Sequence, residues 1–413
     1  MFAWRHRVQC LPWNSVTPPQ PRHQFANAHV PARPGGSADL GARMLGGMNN
    51  PLPADDHGLI LFGNVRALGR QSELYSAVAA GTIERVRRGV YRNVIAAVDT
   101  EADAPAGAEA DRLAYLTVVR AAARAFTAPV FTSYSAAALK GLPVIGSWPS
   151  EVFVLSRDPQ GSRRKGVVTV ARTRDVEIVM VDGCAVTAVE FTLLQLARHA
   201  PLVAALTATD AALHVPRFGG APPKTSLERL HAEHERLKPY PRSQRADAVL
   251  QRATTLADTP LETGSRLLIE ELGFAQPELQ HELWLPELGK RAFLDFYWPE
   301  VNVGAEADGR GKYRSALARR DATGSSNGMG SPQRWPASSA ETEVAAAAAL
   351  AAAAAAKRAA DLVIGEKDRE NAIRRQVAGF DRWDWGEMID KDPVAARLAA
   401  LGVPRVRRRI ILS

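Results

Sequence analysis

The stretch that decides the fold lies at residues 259–313, which read TPLETGSRLLIEELGF (259–274) and then QHELWLPELGKRAFLDFYWPEVNVGAEADGRGKY (280–313). The first segment predicts a helix in which Glu262 precedes Arg266 by one turn. The second segment alternates apolar and polar residues around a Pro–Gly turn, which predicts strands. The predicted strands cover residues 283–285, 292–297 and 301–307.

Acidic side chains fall on three of these predicted elements. Glu262 lies on the helix, Asp295 lies among large apolar residues of the second strand, and Glu306 lies on the third strand. Asp308 shares a strand face with Glu306, because successive side chains of a strand point to opposite faces. A carboxylate among apolar residues is costly unless it is paired, hydrogen-bonded or bound to a metal. Converging oxygen ligands select hard ions, so the pattern predicts Mg²⁺ or Mn²⁺ and a metal-activated water for phosphodiester hydrolysis.

The same acids also have a purely structural interpretation. Glu262 would then only pair with Arg266, a contact worth roughly a few tenths of a kcal/mol. Glu306 and Asp308 would flank a turn before Gly309. Both interpretations stay open, because spacing alone does not show whether the acids meet.

The order of Glu262, FLDFYWPE (293–300) and AEADG (305–309) resembles the Vsr-like branch of the PD-(D/E)XK nuclease superfamily, which is related to very-short-patch mismatch-repair endonucleases. The tail is similar to that branch as well, with VIGEKDRENAIRR (363–375) before GFDRWDWGEMIDKDPVAARLAAL (379–401). The resemblance implies a restriction-endonuclease-like α/β/α domain at the end of the chain.

By position, this resemblance implies metal ligands at Glu262, Asp295 and Glu306, with Asp308 as an accessory catalytic ligand. The chain departs from the superfamily pattern at Asp308, where a lysine is expected that stabilises the attacking hydroxide or the developing charge. Another cation would have to supply that charge. The candidates are Lys312, which we include among the predicted catalytic residues, Lys367 and Arg369.

Residues 55–98 have the order helix, turn, helix, β-hairpin that is typical of a winged helix-turn-helix module. Its second helix is predicted over residues 72–80, with Ser72 as the N-cap and Gly81 as the stop. Arginines at a hairpin tip beside such a helix suit contacts with phosphates and a DNA groove. The alternative is a solvated basic hairpin on a small structural domain. The predicted DNA-binding residues are Arg70, Ser72, Arg85, Arg87, Arg88 and Arg92.

The N-terminal half also resembles a known family. GTIERVRRGVY (81–91), SYSAAALKGLPV (133–144) and DGCAVTAVEFTLLQLARHAP (182–201) are similar to the abortive-infection (AbiEi-type) antitoxins of type IV toxin–antitoxin systems. The resemblance implies a DNA-binding, autoregulatory module followed by a mixed α/β domain, and it makes a toxin protein a candidate partner. Within that domain we predict a strand at 152–155 and a strand pair that turns at Asp182–Gly183.

Composition limits the function classes. The chain has 413 residues and a formal net charge of +8, which favours a polyanionic partner such as nucleic acid or a membrane surface. Cys10 and Cys184 are too few for a disulfide scaffold or a thiolate zinc site, and they suit a reducing compartment. The longest apolar run, 344–356, is short and nearly all alanine, so it does not predict a membrane span. We therefore expect a cytoplasmic protein without a membrane partner.

These patterns predict an α/β multidomain protein. Its predicted parts are a disordered basic leader at 1–54, a winged helix-turn-helix at 55–98, an α/β antitoxin-like domain at 105–215, a linker with a connector helix at 216–258, and a Vsr-like nuclease-fold domain at 259–413 with a low-complexity insert at 314–360. The leader is either a nucleic-acid-binding arm or the result of a start codon upstream of Met44 and Met48. The predicted function is a DNA-binding protein with a Mg²⁺-dependent endonuclease domain. The alternative is a non-enzymatic transcriptional repressor or antitoxin with an inactive nuclease fold.

Overall fold

The computed structural model describes residues 51–94, 104–308 and 339–412. Every element below belongs to the unit Leu52–Ser413. Most of the predicted leader, Lys312 and the first half of the predicted insert lie outside the described residues. No helix within the described ranges is both long and apolar enough to cross a bilayer.

A small antiparallel sheet with two helices opens the described chain. Its elements are β1 (Leu59–Leu61), α1 (Phe62–Ala67), α2 (Gln71–Ala79), β2 (Ile83–Arg87) and β3 (Val90–Asn93), with the strand order β1-β3-β2. The predicted stop at Gly81 is confirmed, because Gly81 has a φ of 72° directly after the helix. The predicted N-cap at Ser72 is wrong. The amide of Leu74 already donates to the carbonyl of Arg70, so Ser72 lies inside the first turn.

A mixed six-stranded sheet forms the middle of the chain. Its helices and strands are α3 (Ala104–Ala125), β4 (Val130–Phe131), α4 (Ser133–Leu139), β5 (Val152–Leu155), β6 (Ser162–Arg164), β7 (Val167–Val170), β8 (Ile178–Val181), β9 (Cys184–Thr187), α5 (Val189–His199) and α6 (Leu202–Leu213). The strand order is β6-β7-β5-β4-β9-β8. Both strand predictions are confirmed, since β5 has the predicted bounds and β8 and β9 turn at Asp182–Gly183. Two helices follow, α7 (Leu227–Leu237) and α8 (Ser243–Leu250).

The C-terminal part contains a four-stranded sheet. Its elements are α9 (Pro260–Leu272), β10 (Glu278–Leu285), β11 (Lys290–Trp298), β12 (Val303–Ala307), α10 (Ser339–Gln376), β13 (Gly379–Trp383), α11 (Trp385–Asp390) and α12 (Asp392–Ala400). The first three strands form an antiparallel meander, and β13 pairs in parallel with β12. The predicted insert does not end as a separate segment at residue 360, because its alanine-rich half is continuous with the rest of α10.

Apolar residues of this sheet belong to two separate clusters. One cluster joins Phe296, Trp298 and Trp383 to α9 and α12. The other joins Ala292 and Leu294 to the C-terminal end of α10. The sheet therefore contributes side chains to helices on both of its faces.

A buried polar contact joins α6 to α9. Asp210 is 1% exposed and accepts hydrogen bonds from Arg266 Nη2 at 2.7 Å and from Thr263 Oγ1 at 2.9 Å. Arg266 therefore pairs with the middle of the chain and not with Glu262, the partner of the structural interpretation. This contact fixes the helix that carries Glu262.

Candidate active site

The start of α9 positions Glu262. Thr259 is the N-cap, and its hydroxyl oxygen accepts a hydrogen bond from the Glu262 amide at 3.2 Å. The Glu262 carboxylate in turn accepts from the Thr259 hydroxyl at 2.9 Å and from the Asp258 amide at 2.9 Å. Capping thus holds the Glu262 carboxylate, which is 6% exposed, at the end of the helix.

Asp295 lies at the point of β11 where the strand's side chains stop packing against α10 and start packing against α9. Residues two apart in a regular strand share a face, yet Leu294 packs in the α10 cluster and Phe296 packs in the α9 cluster. The register places Gln280 of β10 opposite this point, and Gln280 has a φ of 56°. A non-glycine residue in this left-handed region is strained by about 1–3 kcal/mol, and such residues cluster at functional sites.

Gln280 joins two of the predicted ligands. Its Nε2 donates to Glu262 Oε2 at 2.8 Å and to Asp295 Oδ1 at 3.2 Å. The other oxygen of Asp295 accepts from the amide of Ala307 on β12 at 2.9 Å. All of these donors are neutral. Together with Glu306 and Asp308, Glu262 and Asp295 make up what we call the acidic cluster. Across the described ranges, neither Glu262 nor Asp295 forms an ion pair, so no cation compensates the charge of this half of the cluster.

Burial makes that charge unfavourable. It raises the pKa of Glu262 above its ordinary value. Burial, followed by repulsion from Glu262 and Glu306, raises the pKa of Asp295 well above its ordinary range. The two carboxylates therefore lie side by side in a setting that favours a proton or a cation.

Glu306 and Asp308 lie in a different electrostatic setting. Glu306 pairs with Arg369 Nη2 at 2.5 Å and with Arg382 Nη2 at 2.9 Å. Arg382 also reaches Asp308 at 3.7 Å. Glu366 contacts both arginines, at 2.9 Å and 2.6 Å. This half of the cluster is neutralised by its own guanidinium groups.

The residues fit a divalent cation only in part. In the parts of the chain that the structure describes, no three His, Cys, Asp or Glu side chains are grouped closely enough to hold a metal ion. Glu262 and Asp295 offer adjacent oxygens without a cation, which suits a hard ion. Glu306 is instead paired with Arg369 and Arg382.

The three residues predicted to replace the charge of the expected lysine differ in where they lie. Lys312 lies outside the described residues, and Lys367 is exposed on α10. Arg369 does reach the site, where it binds Glu306 and donates to the carbonyl oxygen of Phe293 at 3.3 Å.

Two site residues were not predicted from the sequence. Gln280 looks like an ordinary strand residue in the sequence, because the alternation of apolar and polar residues does not show its positive φ. Arg382 is the basic residue of the strand GFDRW, and only the parallel pairing of that strand with β12, which the sequence does not show, brings it to Glu306.

Two of the predicted DNA-binding arginines are engaged within the small N-terminal sheet and its helices. Arg70 donates two hydrogen bonds to Glu73, at 2.9 Å and 2.7 Å. Arg92 pairs across the hairpin with Glu84 at 2.5 Å. Ser72 is exposed in the first turn of α2.

The arginines of the hairpin itself differ sharply. Arg87 lies 4.6 Å over the ring of Phe126 and 3.4 Å from the carbonyl oxygen of Gly166, and burial lowers the pKa of Arg87. The Arg87 side chain therefore faces the part of the protein that contains the six-stranded sheet. The pairing of β2 and β3 shifts register between Arg85 and Arg87, which turns the two side chains in different directions. Arg85 and Arg88 are exposed and form no ion pair with any described residue. They are the hairpin cations best placed for a phosphate.

Neither a protein-family model nor a curated protein matches this chain.

Proposed function

We propose that this protein binds duplex DNA and that its C-terminal domain hydrolyses a phosphodiester with Mg²⁺ or Mn²⁺. The observation that carries the proposal is a pair of carboxylates, buried at Glu262 and partly buried at Asp295, which share one amide donor and no cation among the described residues. Adjacent carboxylates of this kind are the usual oxygen ligands of a hard divalent ion.

The topology supports a restriction-endonuclease-like interpretation of this domain. A helix is followed by three antiparallel strands, a long crossover helix and a strand parallel to the third. The resemblance to the Vsr-like branch places its acids on α9, β11 and β12, which are the elements that meet here. Glu262, Asp295 and Glu306 are accordingly the proposed metal ligands.

The chain's own residues would prepare the site for hydrolysis. Gln280 and the Ala307 amide hold the Glu262 and Asp295 carboxylates in fixed orientations, as outer hydrogen bonds do around metal ligands. A bound divalent ion would polarise a phosphodiester oxygen and lower the pKa of a water molecule. Arg369 would take over the charge-stabilising role of the expected lysine, because its guanidinium group already lies against Glu306.

A nicking assay on supercoiled plasmid tests this chemistry. We expect Mg²⁺-dependent nicking by the full chain and a loss of at least about 100-fold in Asp295→Asn, because a metal ion contributes several kcal/mol to the transition state. Glu282→Gln is the matched control, an exposed acid on the same sheet. Equal nicking by wild type and Asp295→Asn would reject the site.

We also propose that DNA is bound by the N-terminal module, as its strand–helix–helix–hairpin order supports a winged helix. The exposed cations of this surface are Arg85 and Arg88. Arg87 is left out of the proposed surface because its guanidinium group packs on Phe126. A cytoplasmic location agrees with this proposal.

One observation favours a second function, a non-enzymatic repressor or antitoxin. Glu306 is held by two arginines, and Asp308 stands where the superfamily carries lysine. In that case the acidic cluster stabilises the fold, and a toxin protein is the candidate partner. DNA binding without any Mg²⁺-dependent nicking would support this function over the first.

A further inference from the structure

The segment between α6 and α7 carries an unusual aromatic residue. This segment, PRFGGAPPK (216–224), was predicted only as a linker. Its Phe218 is 87% exposed, although a phenylalanine ring gains about 1.5–3 kcal/mol from full burial. An aromatic ring left this open in a fixed position suggests a ligand that covers it.

Contacts with Phe293 hold the segment in place. The Phe218 and Phe293 ring centroids are 6.1 Å apart, with the planes inclined at 67°. The guanidinium carbon of Arg217 lies 4.4 Å over the same ring of Phe293. Phe293 precedes Asp295 by two residues on β11, so the segment lies beside the acidic cluster.

A second contact joins the segment to the acidic cluster from the α9 side. Arg217 Nη2 lies 4.0 Å from Asp258 Oδ1, and the Asp258 amide donates to Glu262 Oε2. Gly219 and Gly220 follow with φ values of 83° and 138°, which let the chain turn back directly after Phe218. Phe218 and Arg217 are therefore linked through Phe293 to the strand that carries Asp295, and through Asp258 to the start of the helix that carries Glu262.

We infer that Phe218 stacks on an unpaired nucleobase of the DNA strand that would be cleaved at Glu262 and Asp295, and that Arg217 binds a flanking phosphate. The inference rests on the proposed function. Aromatic side chains stack on any base, because every base has a π-face. The loose contact of Arg217 with Asp258 can be exchanged for a phosphate oxygen, which is the usual partner of arginine in DNA complexes.

Binding in EDTA tests the inference without any catalysis. Two short duplexes are titrated with the full chain, one fully paired and one with a single unpaired 2-aminopurine. We expect Phe218→Ala to weaken binding of the bulged duplex about ten-fold, which is the loss of one stacked base. Binding of the paired duplex should change little, and Phe218→Trp should restore both affinity and the quenching of 2-aminopurine fluorescence.

Trp284→Ala is the matched control, because Trp284 is a half-exposed aromatic residue of β10. It should bind both duplexes like wild type. Unchanged binding of the bulged duplex by Phe218→Ala, or equal losses on both duplexes, would overturn the inference. Neither outcome would touch the proposed hydrolysis, which is tested by nicking with Asp295→Asn. If wild type bound neither duplex, the inference would be overturned, whereas the hydrolysis, which needs Mg²⁺, would still be decided by the nicking assay.

Discussion

The two halves of the acidic cluster differ in what compensates their charge. Glu262 and Asp295 have only neutral donors, and burial raises the pKa of both. Glu306, one strand away from Asp295, is held by Arg369 and Arg382. The difference shows that arginines pair with one half, whereas the other half has only neutral donors among the described residues.

The arginines of the N-terminal hairpin also divide into residues that are engaged within the fold and residues that are not, here with positive charges. Arg87 is engaged with Phe126 and with a backbone carbonyl. Arg85 and Arg88 are exposed and unpaired among the described residues. Charge satisfied inside the fold contributes to stability, and charge left outside is available to a partner.

The largest effect on stability is expected at the compensated half. Glu306→Ala leaves the guanidinium groups of Arg369 and Arg382 with less negative charge around them. We expect the free energy of unfolding to fall by about 2 kcal/mol, less than the 3–5 kcal/mol of a fully buried pair because both arginines are partly exposed. Urea denaturation measures this, with Glu306→Gln as a milder variant. An unchanged midpoint in Glu306→Ala would show that the ion pairs do not stabilise the fold.

At the half formed by Glu262 and Asp295, loss of a carboxylate should raise the free energy of unfolding. Asp295→Asn removes a carboxylate that burial and neighbouring acids disfavour. We expect the free energy of unfolding at pH 7, measured without divalent ions, to rise by about 1 kcal/mol. Destabilisation of the size expected for Glu306→Ala would remove the distinction between the two halves.

The pH dependence of stability sharpens the same point. Because the pKa values of Glu262 and Asp295 are raised in the folded state, the folded protein binds these protons more tightly than the unfolded chain. Their contribution to stability is therefore lost as pH rises from about 4, the ordinary carboxyl value, through the raised values. Unfolding followed from pH 4 upward should show a smaller decrease for Asp295→Asn than for wild type. Parallel plots of stability against pH for wild type and Asp295→Asn would show that Asp295 does not cause this decrease.

The smallest effect on stability is expected at the exposed arginines. Arg85→Ala combined with Arg88→Ala should leave unfolding nearly unchanged. It should reduce the salt dependence of duplex binding by about 0.9 in log–log slope for each phosphate that the variant no longer binds. Arg87→Ala serves as the comparison and should destabilise the protein while it keeps the slope. The same slope in the double variant and wild type would exclude the hairpin as the DNA surface.

Local patterns predicted the elements well, and long-range contacts less so. The apolar run at 152–155 has few alternatives to a buried strand, and Asp182–Gly183 predicts the turn between β8 and β9, where Gly183 has a positive φ. Ser72 was misplaced because cap preference does not fix the first helical residue to within one position. The backbone of Gln280 and the pairing of Arg382 with Glu306 depend on the sheet register and on the crossover through α10. Neither is encoded in a local pattern.

Calorimetric titration of Mg²⁺ into the full chain tests the central claim most directly. The claim is that Glu262 and Asp295 form a half-site for a divalent ion. We predict one binding event in wild type and in Glu282→Gln, and none in Asp295→Asn. Absence of binding in wild type, or equal binding in Asp295→Asn, would contradict the claim and leave a DNA-binding regulator as the function.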